Sequence, residues 1–143
     1  MNIFVLDTDP VLAAQMHCDK HVVKMIVEYA QLLSIAHRAL DHVEAVECKT
    51  KAGRRKRILR LRGEWLIKRK GVWQIANPVC YNMTHPNHPC SVWVQTTGGN
   101  YLWLARLMKH CMAEFEHRYG HEHTTKRLWP FLCHTPENIA SGP

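Results

Sequence analysis

Several features that assign a chain to a broad class are missing from these 143 residues. No apolar run approaches the eighteen or so residues needed to cross a membrane, and no secretory signal peptide is recognisable. The six cysteines form no C-x-x-C pair, and the chain has no internal repeat or low-complexity segment. We therefore expect one soluble domain spanning residues 1–143, with reduced thiols and a cytoplasmic location.

Acidic residues are also scarce. The chain has 12 Asp and Glu against 19 Lys and Arg, which gives a formal net charge of +7. Such an excess favours a polyanionic partner. Eleven of the basic residues crowd into residues 49–70, hereafter the basic segment, with one tryptophan inside it and another just beyond. This mixture predicts a surface that holds phosphates and stacks on bases, although a solvated insertion is the alternative. The candidate nucleic-acid-binding residues here are Arg54, Arg55, Arg57, Arg60, Lys68, Arg69, Trp65 and Trp73.

Helix signals dominate the rest of the chain. Residues 7–9 are good N-caps and Pro10 suits a first helical turn, so a helix is predicted from there to about Leu40. Pro89 should open a second helical region, broken near Gly98 and ended by Gly120. The predicted fold is all-α, a compact domain of about three main helices with a basic hairpin or irregular insertion at about 45–81. The basic arm itself is expected at 45–76, a further short helix at 124–131 and a tail at 134–143.

Five polar side chains recur along the first predicted helix at intervals of four, three, four and three residues. At about 100° per residue they fall within about 80° of one another on a helical wheel. Most other positions are apolar, so this polar stripe should face a cleft or a strip of solvent. Its two imidazoles, amine and carboxylate favour proton chemistry over a merely solvated face. The stripe consists of His17, His21, Lys24, Glu28 and Gln31.

Two histidine pairs offer one kind of site, a metal centre. His17 and His21 are four residues apart, and His85 and His88 lie in a loop made rigid by prolines. No H-E-x-x-H motif accompanies them, and chance pairs are common among eleven histidines. We therefore predict no metal and no other cofactor. If a metal-dependent hydrolase is nevertheless correct, these four histidines are its ligands.

Amine and carboxylate chemistry on DNA is the second kind of site. A partly desolvated Glu28 could exchange protons with a sugar or base while His21 orients the sugar or a phosphate. The nucleophile would then be either Lys24 or the α-amino group of Met1. A Cys-His hydrolase built on Cys18 is disfavoured, because that side chain should project onto the buried, apolar side of the helix.

Three segments resemble one enzyme family in order and approximate spacing. Residues His21–Glu28 resemble the H-L-x-x-E-x-R-E helix of the phage endonuclease V type pyrimidine-dimer DNA glycosylases and their bacterial relatives. Asn87-His88-Pro89 resembles the N-H-P before their next helix, and Tyr101–His123 resembles their last long helix and its R-G-Y-x-H-like end. The opening M-N-I-F segment and the H-C-D-K-H at residues 17–21 also resemble an uncharacterised phage protein family.

The resemblance implies an all-helical enzyme that flips a nucleotide, attacks the sugar C1′ with its terminal amine and cleaves the strand by β-elimination. It places Glu28 at the catalytic glutamate and His21 at a histidine that contacts the substrate backbone. The chain departs from the family at Asn2, which hinders removal of Met1, and at Val27 and Gln31, which replace arginines. The basic segment would then have to hold the phosphates.

The predicted function is therefore a DNA glycosylase or abasic-site lyase acting on damaged or modified nucleotides, with Glu28, His21 and Lys24 as catalytic residues. Gln31, Asn87 and His88 join the predicted nucleic-acid contacts. The alternatives are a non-catalytic phage protein that binds nucleotides or nucleic acid, and the metal-dependent hydrolase. The predicted partner is DNA or a nucleotide and not a membrane. The protein should be a monomer in the cytoplasm, that of the host if a phage encodes it.

Overall fold

The structure is a computed structural model that describes Ile3 and residues 7–85 and 87–143. Helices make up the first and last parts of the described fold, and short strands fill its middle. In chain order the elements are α1 Pro10–Gln15, α2 Asp19–Asp41, β1 Glu44–Lys49, β2 Arg55–Arg60, β3 Leu66–Arg69, β4 Val72–Ile75, α3 Pro89–Thr96, α4 Gly98–Tyr119, a 3₁₀ helix Thr124–Leu128 and α5 Trp129–Leu132.

The core forms where α2 packs against α3 and α4, while α1 packs on α4. Apolar residues recur every three or four positions on the facing sides of the two long helices, as amphipathic helices require. The largest fully buried side chains of these helices include Ile26, Leu33, Leu104 and Met108. Burial of this face holds α2 in place and leaves its other side for the polar stripe.

The predicted all-α fold is wrong, because the chain contains two antiparallel hairpins, β1–β2 and β3–β4. Both lie in the region predicted to be a hairpin or irregular insertion. β-Branched residues suit these strands, and the reversals are made by residues with positive φ. Lys70 (φ 49°) and Gly71 (φ 78°) form the two-residue turn of the second hairpin. The fold is therefore mixed, with helices and strands.

The single helix predicted from Pro10 to Leu40 is also wrong, since α1 and α2 are separate. The carbonyls of Gln15 and His17 accept hydrogen bonds from Arg118 of α4, at 3.1 and 2.9 Å, instead of continuing the helical ladder. Cys18 then occupies the N-cap position of α2 in an extended conformation (ψ 164°), without a capping hydrogen bond from its side chain. Its thiol side chain is exposed rather than buried as predicted, because it precedes the helix instead of lying within it.

Residues 134–143, predicted to be a tail, pack against the domain. The carboxylate of Asp41 accepts the backbone amides of Glu137 and Asn138 at 2.8 and 3.0 Å. The first amides of α4 donate to the carbonyls of Ala140 and Gly142, both at 2.8 Å. Helix N-termini need such acceptors, and here the end of the chain supplies them.

A buried ion pair ties the hairpins to α2. Arg38 and Glu64 are both fully buried, and two hydrogen bonds of 2.8 and 3.0 Å join the guanidinium to the carboxylate. The three remaining guanidinium N–H groups donate to the carbonyls of Leu59, Cys80 and Tyr81. The carboxylate also accepts the amides of residues 61 and 79. Every donor of the arginine is thus used, as a buried charge requires.

His37 is a second buried polar group, and it makes stability depend on pH. Its Nε2 donates to the Tyr101 hydroxyl at 2.8 Å and to the His134 carbonyl at 3.0 Å. Burial lowers the pKa of His37 to about 4, although the carboxylate of Asp41 opposes this shift. The neutral ring is therefore the folded form at neutral pH.

We expect the free energy of unfolding to fall by about 3 kcal/mol between pH 7 and pH 4 from this group. The unfolded chain takes up a proton near pH 6.5 and the folded chain only near 4, so acid favours unfolding. Urea titrations at several pH values should measure this slope, and His37→Gln should flatten it. An equal slope in that variant would contradict the assignment.

Candidate nucleic-acid interface

A cationic groove of about 560 Å³ lies between the β1–β2 hairpin, the end of α2 and residues 83–85. Four consecutive basic residues of the hairpin line it, together with two histidines from outside the hairpin. Among the residues that the structure describes, no carboxylate lines this groove. The basic and imidazole members of the lining are Arg54, Arg55, Lys56, Arg57, His42 and His85.

The pairing register explains how the hairpin presents this charge. Successive side chains of a strand point to opposite faces, so Arg55, Arg57 and Leu59, which are two residues apart on β2, project on the same side. Leu59 is buried at the base of the hairpin, whereas both arginines are exposed. The buried leucine therefore turns this face toward the end of α2, and the arginines continue the same face into the groove.

Like charges face one another near the end of this hairpin. Lys49 is directly opposite Arg55, an arrangement that destabilises an isolated ribbon. Of the eleven basic side chains in the basic segment, Arg60 pairs with Glu44 at 2.9 Å. The other ten have no carboxylate partner among the residues that the structure describes. Glu47 is directly opposite Arg57 in the register but forms no ion pair with it, and the charge of the other nine is available to an external anion.

Arg60 has a structural role at the base of the hairpin. Besides its ion pair with Glu44, its guanidinium donates to the carbonyl of Glu64 at 2.8 Å. These bonds fix the base of the β1–β2 hairpin against the following loop. Arg60 therefore anchors the hairpin, and its predicted contact with nucleic acid stays a prediction.

The second hairpin separates the two tryptophans that the sequence suggested as one stacking surface. Trp73 is directly opposite Lys68, whose ammonium lies 5.8 Å from the centre of the indole ring. Trp65 precedes β3, and its carbonyl still pairs with the amide of Ala76. Strand alternation therefore places it on the opposite face, with Arg69. The side chains of Trp65 and Trp73 are 58% and 38% exposed, on opposite faces of the ribbon.

His17 is not part of the polar stripe, because it lies in the turn before α2 and not on the helix. The His17 side chain is buried, with Nδ1 2.5 Å from the Ala13 carbonyl and Nε2 2.7 Å from the Tyr29 hydroxyl. Burial lowers the pKa of His17, so its ring is neutral and serves as a link between α1 and α2. The predicted place of His17 on one helical face is wrong because the helix ends before it.

The other four members remain on one side of α2. His21, Glu28 and Gln31 are half-buried and Lys24 is exposed. Within the described part of the chain, no ion pair joins Lys24 to Glu28, although one turn of helix separates them. Glu28 lies about 16 Å along the helix axis from Ala39, where the cationic groove begins. The stripe and the groove are thus two neighbouring but separate surfaces.

The segment Asn87-His88-Pro89 has a clear structural role. His88 is the N-cap of α3, and its Nδ1 accepts the amide of Cys90 at 3.1 Å. Pro89 occupies the first helical turn as predicted, and Ser91 donates to the carbonyl of His85 at 3.0 Å. Asn87 is exposed. Helix capping accounts for this motif without substrate contact.

The histidines predicted as possible metal ligands do not form a cluster. Within the described ranges, no group of three or more His, Cys, Asp or Glu side chains could hold a metal ion. The hydrolase alternative therefore has no geometric support. Among the same residues, no helix has both the length and the apolar character needed to cross a membrane.

Comparison with known proteins found no match to this chain. The chain matches no protein-family model, no curated protein and no solved structure. The resemblance to the endonuclease V type glycosylases stays a prediction, as does the nucleic-acid partner.

Sequence reasoning found the basic hairpin residues but missed the other side of the groove. His42 follows α2, and Thr84 donates to or accepts from the His85 ring at 2.8 Å. His85 was considered only as a metal ligand. Neither His42 nor His85 belongs to a recognisable nucleic-acid-binding motif. Only the folded chain brings residues 42 and 83–85 beside the hairpin.

Proposed function

We propose that this chain is a nucleic-acid-binding protein that holds phosphates in the cationic groove. The observation that carries the proposal is a groove lined by four consecutive basic residues, 54–57, with no carboxylate among the described lining residues. Phosphates are the natural counterions of such a surface, because each contact releases a condensed cation from the nucleic acid.

The energetics of the free protein support an anionic partner. The Lys49 and Arg55 pair places two like charges opposite each other, and in the described structure Arg60 is the one basic side chain of the segment that forms an ion pair. A purely structural hairpin gains nothing from this arrangement. A bound phosphate backbone would relieve the repulsion and use the same charges for affinity.

The first test is the salt dependence of binding to a labelled DNA oligonucleotide. We expect log Kd to rise linearly with log salt concentration, because phosphate contacts displace counterions. The double variant Arg55→Ala/Arg57→Ala should reduce the magnitude of that slope by about 2, one for each lost contact. Fluorescence anisotropy between 50 and 200 mM salt measures the slope.

A matched control removes two equally exposed charges elsewhere. Arg106 and Lys109 are exposed on α4 and do not line the groove. Their double alanine variant should keep the wild-type slope. Equal losses in both variants would mean that net charge, and not the groove, governs binding. An absence of binding at low salt would end the proposal.

A second candidate function is enzymatic: the protein would be an abasic-site lyase or glycosylase whose catalytic site is centred on Glu28. It is favoured by the half-buried position of Glu28 and by the lack of a Lys24 ion pair in the described structure. A carboxylate that is partly removed from water and not paired can act as a base. His21 lies two turns away on the same side and could orient the sugar or a phosphate.

The lyase step would proceed through an imine. The amine condenses with the C1′ aldehyde of an abasic site and releases water; Glu28 then takes the C2′ proton, and the C3′–O bond breaks as the phosphate leaves. Hydrolysis of the imine frees the amine. On an intact nucleotide, the same amine would displace the base from C1′ of a flipped sugar. Lys24 is the described candidate, and the α-amino group of Met1 lies outside the described residues.

A further inference from the structure

The β1–β2 hairpin has a free, strongly basic end and a firmly held base. At the base, Arg60 pairs with Glu44, and the Leu59 carbonyl accepts a hydrogen bond from buried Arg38. At the other end, residues 51–55 are all exposed. We infer that this end enters the major groove of duplex DNA. The inference rests on the proposed nucleic-acid binding and names the form of nucleic acid that is bound.

The dimensions of the hairpin suit that groove. From the Glu44 and Arg60 pair to the Lys49 and Arg55 pair, the ribbon is about 17 Å long at about 3.4 Å per residue. The major groove of B-DNA is about 12 Å wide and 8.5 Å deep, and it admits a two-stranded ribbon. The free end of the hairpin can therefore reach the edges of the nucleobases, while the end held by Arg60 and Arg38 stays outside the duplex.

The side chains at the free end also fit. Ala52 and Gly53 keep its tip narrow, and Gly53 has φ 78°, which permits the sharp reversal. Lys49 and Arg55 flank the tip on one face. In a major groove, phosphates border the ribbon on both sides, so repelling cations on both strands acquire separate partners. A single row of phosphates would serve only one of the two strands.

Single-stranded nucleic acid is disfavoured by the positions of the aromatic side chains. Proteins that bind single strands stack successive bases on neighbouring rings beside a basic track. Here Trp65 and Trp73 lie on opposite faces of the β3–β4 hairpin, so one strand cannot stack on both. Duplex RNA is disfavoured because its major groove is too deep and narrow for side chains to read.

The test compares three ligands of one sequence: a 20-base-pair DNA duplex, its single DNA strand and the corresponding RNA duplex. Fluorescence anisotropy should give a Kd for duplex DNA at least tenfold lower than for the other two. Lys49→Ala/Arg55→Ala should weaken duplex binding at least tenfold. It should leave thermal stability unchanged or raised, because it removes a repulsive pair.

The matched control is Lys68→Ala/Arg69→Ala, which removes two charges from the other hairpin. It should weaken duplex binding less than Lys49→Ala/Arg55→Ala does. Single-stranded DNA or duplex RNA that binds as tightly as duplex DNA would overturn the major-groove inference and leave nucleic-acid binding intact. Equal losses in the two double variants would also overturn it. No binding to any of the three ligands would instead overturn the proposed function itself.

Discussion

Arg38→Met is expected to lower the free energy of unfolding by about 4 kcal/mol, because breaking a buried ion pair leaves an uncompensated charge. The variant leaves the carboxylate of Glu64 buried with only two backbone amides as donors. It also leaves the carbonyls of Leu59, Cys80 and Tyr81 without the guanidinium. Urea unfolding at pH 7, followed by circular dichroism, measures the loss.

Two further variants separate charge from packing. Arg106→Met replaces an exposed arginine on a helix and should change stability by less than about 0.5 kcal/mol. Glu64→Gln keeps the shape of the side chain but removes its charge, so it should also be strongly destabilising. A loss below about 1 kcal/mol in Arg38→Met would mean that water or rearrangement satisfies Glu64.

The pH dependence of the same pair has a definite sign. Burial alone would raise the pKa of Glu64, but hydrogen bonds from Arg38 and from the amides of Leu61 and Val79 outweigh burial and lower it. The folded pKa thus lies below the unfolded value of 4.5. The stabilisation is complete above the unfolded value and is lost as the pH falls through the folded one. Arg38→Met should remove this acid sensitivity.

The ion pair has a functional consequence because of what it connects. Arg38 bonds to β2 through Leu59 and to the segment before residues 83–85 through Tyr81. Those are two of the three walls of the cationic groove. A variant that breaks the pair should therefore weaken DNA binding even where the chain stays folded, since the basic side chains lose their fixed separation.

The helical part of this fold was predictable from local sequence. Pro89 and Gly120 fall at the start of α3 and the end of α4 as predicted, because their backbone preferences act within one turn. The break between α1 and α2 was not predictable in this way. It depends on Arg118, which lies about a hundred residues later and binds the carbonyls of the turn.

The sequence predicted one basic hairpin or an irregular insertion where the structure has two hairpins, for a different reason. The basic segment has an excess of Lys and Arg that obscures alternation, and its apolar members Ile58 and Leu59 are adjacent and both buried. Adjacent buried residues contradict the simple alternation of a strand with one solvated face. Both are buried because the hairpin packs on α2 through one face and near β4 through the other. Only tertiary packing reveals this.

The candidate site was predictable in composition but not in arrangement. The basic residues and the Glu28 stripe were both visible in the sequence, yet their separation along α2 was not. Arg38 and Glu64 were not selected at all, since a lone arginine on an apolar helix and a lone glutamate among basic residues have no local signal. Their pairing across 26 positions required the folded chain.

Glu28→Gln is expected to reduce strand cleavage at abasic sites at least a hundredfold, because a general base contributes about 10² to 10⁴ in rate. The amide cannot take the C2′ proton, whereas the imine before that step can still form. Binding should be unchanged or slightly tighter, since one negative charge near the phosphates is removed. Cleavage of a labelled abasic duplex and its anisotropy measure the two quantities on the same samples.

Borohydride trapping locates the amine and distinguishes chemistry from binding. Wild-type protein should form a covalent adduct with abasic DNA, because borohydride reduces the imine, and Glu28→Gln should form it too. Lys24→Ala should abolish the adduct if Lys24 is the nucleophile; an adduct that persists, mapped by mass spectrometry, would identify the α-amino group instead. Glu137→Gln, an exposed carboxylate outside the stripe, is the control and should cleave normally. A wild-type protein that binds DNA but forms no adduct would eliminate the lyase and leave the binding function.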